Sequence, residues 1–186
     1  MALSVEAQGV WPCRENDAYY CGMPAPELKQ FLERTSFFGG LAGTPVFDIL
    51  ADMLREKEVR KGEVVLREGD TGNSMYIVES GALYATRKCD DGTDVRMLMF
   101  RPGDFVGVTT LIEMEPRPFT ITAEKDSKLL ELNNRDLYQL YRKDVTAYVL
   151  VLQNINRELV RRLRKAGARI AYLTRVAGLD HTAEHH

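Results

Sequence analysis

The sequence predicts a mainly β domain, an antiparallel jelly-roll-like β-roll (double-stranded β-helix), with helices on its flanks and one long helix at the C-terminal end. Three observations lead there. From Glu58 to Leu132 the hydrophobic residues recur with a period near two. Glycines at 62, 69, 72, 81, 92 and 103 cut that region into short segments. From Asp144 the period becomes helical and holds to Arg175.

Residues 1–25 read as an irregular arm, broken by Pro12, Gly22 and Pro24, with Trp11, Tyr19 and Tyr20 able to dock it. Pro26 suits the first turn of a helix reaching about Arg34. Phe37-Phe38-Gly39-Gly40 is a stop. Thr44 then caps a second helix with Pro45 at its first position, and Val46, Phe47, Ile49, Leu50 and Leu54 form its apolar face.

Strands are expected at 64–66, 75–78, 83–86, 95–100, 119–123 and 129–132, with Asp91-Gly92 as a hairpin turn. Asn134 to Arg142 is helical again, closing a body of residues 26–143. The long helix over 144–175 carries Tyr148, Leu152, Ile155, Leu159, Leu163, Ala166, Ile170 and Leu173 along one face. Its 32 residues would span about 48 Å, so much of it must project beyond the body. A projecting apolar seam wants a partner, and a parallel second copy is the simplest. Gly167 weakens it by about 1 kcal/mol relative to alanine. Residues 176–186 read as a disordered tail.

The stretch from Gly103 to Ala123 carries the candidate site. Gly103 to Gly107 reads as a strand ending in a turn, Val108 to Ile112 as one helical turn, and Glu113 to Pro118 as a loop with a single cation, Arg117. Backbone N–H groups at a helix start and a nearby arginine fork together cradle an anion. The expected ligand-binding residues are Gly107, Val108, Thr109, Thr110, Arg117, Pro118 and Phe119. Taken alone, Arg117 reads as a loop arginine beside Glu115, and such surface pairs contribute little.

The remaining composition narrows the chemistry. Net charge is −2, yet residues 157–175 hold seven basic side chains against Glu158 alone, a net of +6 that leaves −8 elsewhere. That basic face reads as solvated, since no aromatic residue interleaves beyond Tyr172, and direct DNA binding is not expected. Cys13, Cys21 and Cys89 have no metal-ligand spacing and fit a reducing cytosol. The N-terminus lacks a signal-peptide pattern and no apolar run has membrane-spanning length, so a soluble cytoplasmic protein is expected. The histidines are His181, His185 and His186, all in the tail. A cupin-type metal centre and Ser–His or Cys–His nucleophile pairs therefore lack their ligands, and neither an enzyme nor a resident cofactor or metal is expected.

The strand-turn text VRKGEVVLREGDTGNSMYIVESGALYA, then RPGDFVG, then EPR, then the long helix, resembles the cyclic-nucleotide-binding superfamily over roughly residues 37–175. In organisation it looks like the bacterial catabolite-activator-type regulators. The resemblance implies a β-roll flanked by helices, a phosphate-binding cassette and homodimerisation through the long helix. The family's helix-turn-helix DNA reader is expected to be missing, because the chain runs out at His186. Arg117 matches the arginine that pairs with the cyclic phosphate. Where the family has Gly-Glu, the glutamate accepting from the ribose, this chain has Gly107-Val108. Pro118 stands where a backbone N–H meets the phosphate, and Phe119 where a small residue leaves room. The helix positions that read the purine become Ala166 and Gly167. Losing a charged hydrogen bond costs about 1.5–3 kcal/mol and a neutral one about 1, which disfavours cyclic AMP in the family's usual pose. Thr109 and Thr110 add hydroxyls suited to another anion or a rearranged nucleotide.

Two functions follow as expectations. One is a sensor module that binds a cyclic nucleotide or other small anion in the roll and signals through the dimer helix to a separate protein. The other is a non-binding dimeric scaffold whose pocket Val108 or Phe119 fills.

Overall fold

A computed structural model describes residues 26–109 and 115–178 of the chain. The expected arm over 1–25, Thr110 and the rest of the helical turn to Ile112, and residues 179–186 of the tail lie outside the described residues.

Two short helices open the fold, α1 (Pro26–Glu33) and α2 (Pro45–Met53), with a 3-10 turn at Ser36–Phe38 between them. The α2 start is as expected: Thr44 Oγ1 accepts from the Phe47 N–H at 3.3 Å, and Pro45 follows it. Among the described residues eight strands come next: β1 (Arg55–Val59), β2 (Val64–Leu66), β3 (Ser74–Ser80), β4 (Leu83–Lys88), β5 (Asp94–Phe100), β6 (Phe105–Val106), β7 (Thr120–Ala123) and β8 (Ser127–Asn133). Two helices close it, α3 (Asn134–Lys143) and α4 (Val145–Val176).

Among the described residues the strands form two four-stranded antiparallel sheets, β1-β8-β3-β6 and β2-β7-β4-β5. The pleat of β3 explains how they stack. Met75 and Ile77 join a hydrophobic layer with Phe37, Phe38 and Leu50 of the helical side. Tyr76 and Val78 face the other way, toward Leu83 and Ile121 of the second sheet. The first sheet is thus packed on both faces, and the roll interior lies between the two sheets.

β1 is a strand that the sequence reading did not place. Its text is Arg-Glu-Lys-Glu-Val, with Glu56 and Glu58 exposed and only Val59 buried. It is an edge strand, where charge guards an open ladder, so hydrophobic alternation does not mark it. β5 is the opposite case. It reads as an apolar run, yet Val95, Met97, Leu98 and Met99 are each 42–45% exposed and only Phe100 is buried. It too is an edge strand.

The start of α3 is fixed by reciprocal capping. The Asp136 N–H donates to Asn133 Oδ1 at 2.9 Å, and the Asn133 N–H donates to Asp136 Oδ2 at 3.2 Å. Arg55 Nη1 adds an ion pair to Asp136 at 2.7 Å, tying β1 to the helix.

The seam along α4 divides in two. Ile155 is fully buried in the chain's own core, and Tyr148, Leu152 and Leu159 pack partly against it. Asn154 Nδ2 anchors the same face, donating to the carbonyls of Phe37 at 2.9 Å and Gly39 at 2.8 Å. Farther along, Leu163 is 72% exposed, Ile170 64% and Leu173 51%. The first half of the helix serves the body, and the second half projects.

Candidate functional site

The site begins at the turn between β2 and β3, text Arg67 to Asn73. Two backbone bonds clip the returning loop to it. The Gly69 N–H donates to the Arg117 carbonyl at 2.9 Å, and the Arg117 N–H donates to the Asp70 carbonyl at 2.9 Å. Held at both backbone groups, Arg117 sends its side chain into the roll, where it is 4% exposed.

There the guanidinium bridges two further segments. Nη1 donates to the Gly107 carbonyl and Nη2 to the Ser74 carbonyl, each at 2.7 Å. One side chain thus joins the end of β6, the start of β3 and its own loop. Burial pulls the Arg117 pKa below the usual arginine value, with Tyr76 acting the other way. Arginine starts so high that it stays charged at physiological pH. The carbonyls of Gly107 and Ser74 each accept from one of its Nη groups.

Two glycines make room for the fork. Gly107 has a φ of +79°, and a β-carbon there would lie 2.7 Å from Nη1 and 3.0 Å from Leu66 Cδ1. Gly72 has no such backbone demand. A β-carbon there would lie 2.5 Å from Nε and 2.6 Å from Cζ of Arg117. The guanidinium takes the space that a side chain there would need.

The expected site residues are therefore placed unequally. Gly107 and Arg117 meet. Val108 is 2% exposed, but its side chain lies in the helix-side hydrophobic layer with Phe105 and Leu132, so only its backbone faces this region. Thr109 is half-buried, and Thr110 lies outside the described residues. Pro118 is exposed, and Phe119 packs partly against the roll interior. The sequence reading overlooked Gly72 and Ser74. The Gly69-x-x-Gly72 turn offered a signal for the first, whereas Ser74 contributes a carbonyl that any residue would supply. Among the described residues no group of three His, Cys, Asp or Glu side chains could hold a metal ion, and no helix is long and apolar enough to cross a membrane.

Comparison with known proteins bears on this arrangement. A model of the cyclic nucleotide-binding domain matches residues 56–144. A cGMP-dependent protein kinase of Toxoplasma gondii is 34% identical over 99 residues, 53% of this chain and 9% of the kinase. The cyclic AMP receptor protein of Thermus thermophilus is 27% identical over 143 residues, 77% of this chain and 64% of the receptor. The chain thus spans less than two thirds of either protein. A solved cyclic nucleotide-binding domain from Methylobacillus flagellatus superposes with a TM-score of 0.73 at 18% identity, over 80% of this chain and 85% of that one, a likeness of fold.

Proposed function

We propose that this chain, whose residues 56–144 belong to the cyclic nucleotide-binding domain family, is a regulatory sensor module rather than an enzyme. A small anion, with a cyclic nucleotide the first candidate, sits in the roll beside Arg117 and the turn at Gly107. The observation that carries this reading is the placement of Arg117: a buried cation fixed against Gly107 at 2.7 Å. In a low-dielectric interior a fixed guanidinium attracts an anion far more strongly than one in water. The projecting half of α4 is the output, pairing with a second copy and passing the ligand state to a separate protein.

Calorimetry with cyclic AMP and cyclic GMP tests it, on wild type and on Arg117→Lys, with melting checked for both. Saturable heat from wild type and at least a tenfold loss of affinity in a folded Arg117→Lys, about 1.4 kcal/mol, is expected. Equal affinities would remove Arg117 from the site.

A second reading has its own support. Phe119 leans on the roll interior, whereas Val108, in the helix-side layer, does not fill the roll. In that reading the roll is a scaffold, and neither nucleotide gives heat.

A further inference from the structure

We propose that Arg162 is the clasp that fixes where α4 leaves the body, and so sets the direction of its projecting half. One side chain makes four contacts. Nη2 donates to the Phe105 carbonyl at 2.7 Å. Nε donates to Glu158 Oε1 at 3.1 Å, one turn back along the same helix. The cation lies 4.9 Å from the Phe105 ring centroid and 5.5 Å from that of Phe100.

The partners belong to different layers. Phe105 opens β6 in the first sheet, and Phe100 ends β5 in the second. The guanidinium therefore fastens the helix to both sheets at the corner formed by residues 101–104. The preceding polar anchor, Asn154, holds the helix about 12 Å nearer its start. After Arg162 the helix is on its own: every position from 163 to 173 is exposed. A rod pinned at Arg162 beyond its packed first half keeps its direction, and one released there is held last by the partial packing of Leu159 and can swing. The clasp also touches Phe105, two residues before Gly107, so a shift at the candidate site would reach the rod here.

Lysine would not replace this arginine. A planar fork donates to the carbonyl and to Glu158 together while lying against both rings, and an ammonium cannot.

The test is a distance between spin labels at Lys128→Cys and Arg169→Cys, with Cys13, Cys21 and Cys89 replaced by serine and the labelled chain diluted in unlabelled chain. Both positions are exposed. Without ligand, the distance distribution should be narrow for wild-type Arg162 and at least twice as broad for Arg162→Met. Arg162→Lys, which keeps the charge, should broaden it likewise, and Glu158→Gln should fall between. Melting curves confirm that each variant is folded. A distribution as narrow in folded Arg162→Met or Arg162→Lys as in the parent would overturn the clasp. These arms stand apart from the sensor reading. Only the added arm, with cyclic AMP, rests on it: the nucleotide should move the distribution with Arg162 in place and not with methionine. Lack of nucleotide binding would defeat the sensor and leave the clasp standing.

Discussion

Gly72 lies directly against the guanidinium of Arg117, with no space between them for a methyl group: a β-carbon would stand 2.6 Å from Cζ. The glycine backbone makes no other demand here, so the relationship is separable by mutation. Gly72→Ala should destabilise the domain by about 1–3 kcal/mol through overpacking. The same change made in an Arg117→Ala background should cost less than about 0.5 kcal/mol. Urea unfolding of the four proteins gives the coupling energy, expected between about 0.5 and 3 kcal/mol. Additive costs would show that the two residues do not share one slot.

Gly107 behaves differently, because two constraints coincide there. Its φ of +79° disfavours any β-carbon, and the guanidinium fills the same space. Gly107→Ala should therefore remain destabilising, by about 1–2 kcal/mol, even with alanine at 117. The contrast with Gly72, read from the same unfolding curves, separates steric room from backbone strain.

The divided seam of α4 changes which residue reports on pairing. Leu159 packs partly on the chain's own core, so a charge there would disturb the body as well as any interface. Ile170 and Leu173 are 64% and 51% exposed and belong to neither core cluster among the described residues. Sedimentation is expected to show wild type as a dimer and Ile170→Glu as a monomer, with the far-ultraviolet circular dichroism of a folded chain. A dimer that survives Ile170→Glu and Leu173→Glu together would place the interface elsewhere, with the exposed apolar face of β5 the next surface to examine.

Glu79 gives a prediction in pH. Burial first, and then the charge of Glu56, raise its pKa above 4.5, with Lys128 pulling it down, and among the described residues its Oε2 is buried without a hydrogen-bond partner. The folded state then holds this proton more tightly than the unfolded chain does. Its contribution to stability is present at low pH and is lost as pH rises from the unfolded value through the raised folded one. Glu79→Gln should melt higher than wild type at pH 7, and the advantage should vanish below pH 4.5. A constant difference across that range would mean the carboxylate does not titrate as described.

Much of this architecture is written in local chemistry. Thr44-Pro45, Asp91-Gly92 and Asn133 each fix a turn or cap with their own atoms, so the element boundaries beside them are legible from text. The strand β1 and the exposure of β5 are not, although the bounds of β5 are, because the fate of an edge strand depends on what lies beside it and not on its own alternation. The site divides along the same line. A glycine and an arginine ten positions apart can be paired from their spacing and the family resemblance. The slot that receives the arginine cannot, because Gly72 and Ser74 act through an absent side chain and a backbone carbonyl. Likewise the long apolar seam announces a helix, but which half is spent on the body depends on the position of Phe37 and its neighbours, far away in sequence.

The most direct test of the central claim follows the Arg117 side chain itself. In a buried guanidinium held by hydrogen bonds from both Nη groups, the Nε–H should exchange slowly enough to give a resolved 15N NMR signal, assigned by its loss in Arg117→Lys. On titration with cyclic AMP the account predicts that this signal moves and saturates together with the backbone signal of Gly107. A signal that stays fixed while other residues respond, or that never moves with any cyclic nucleotide, would contradict it.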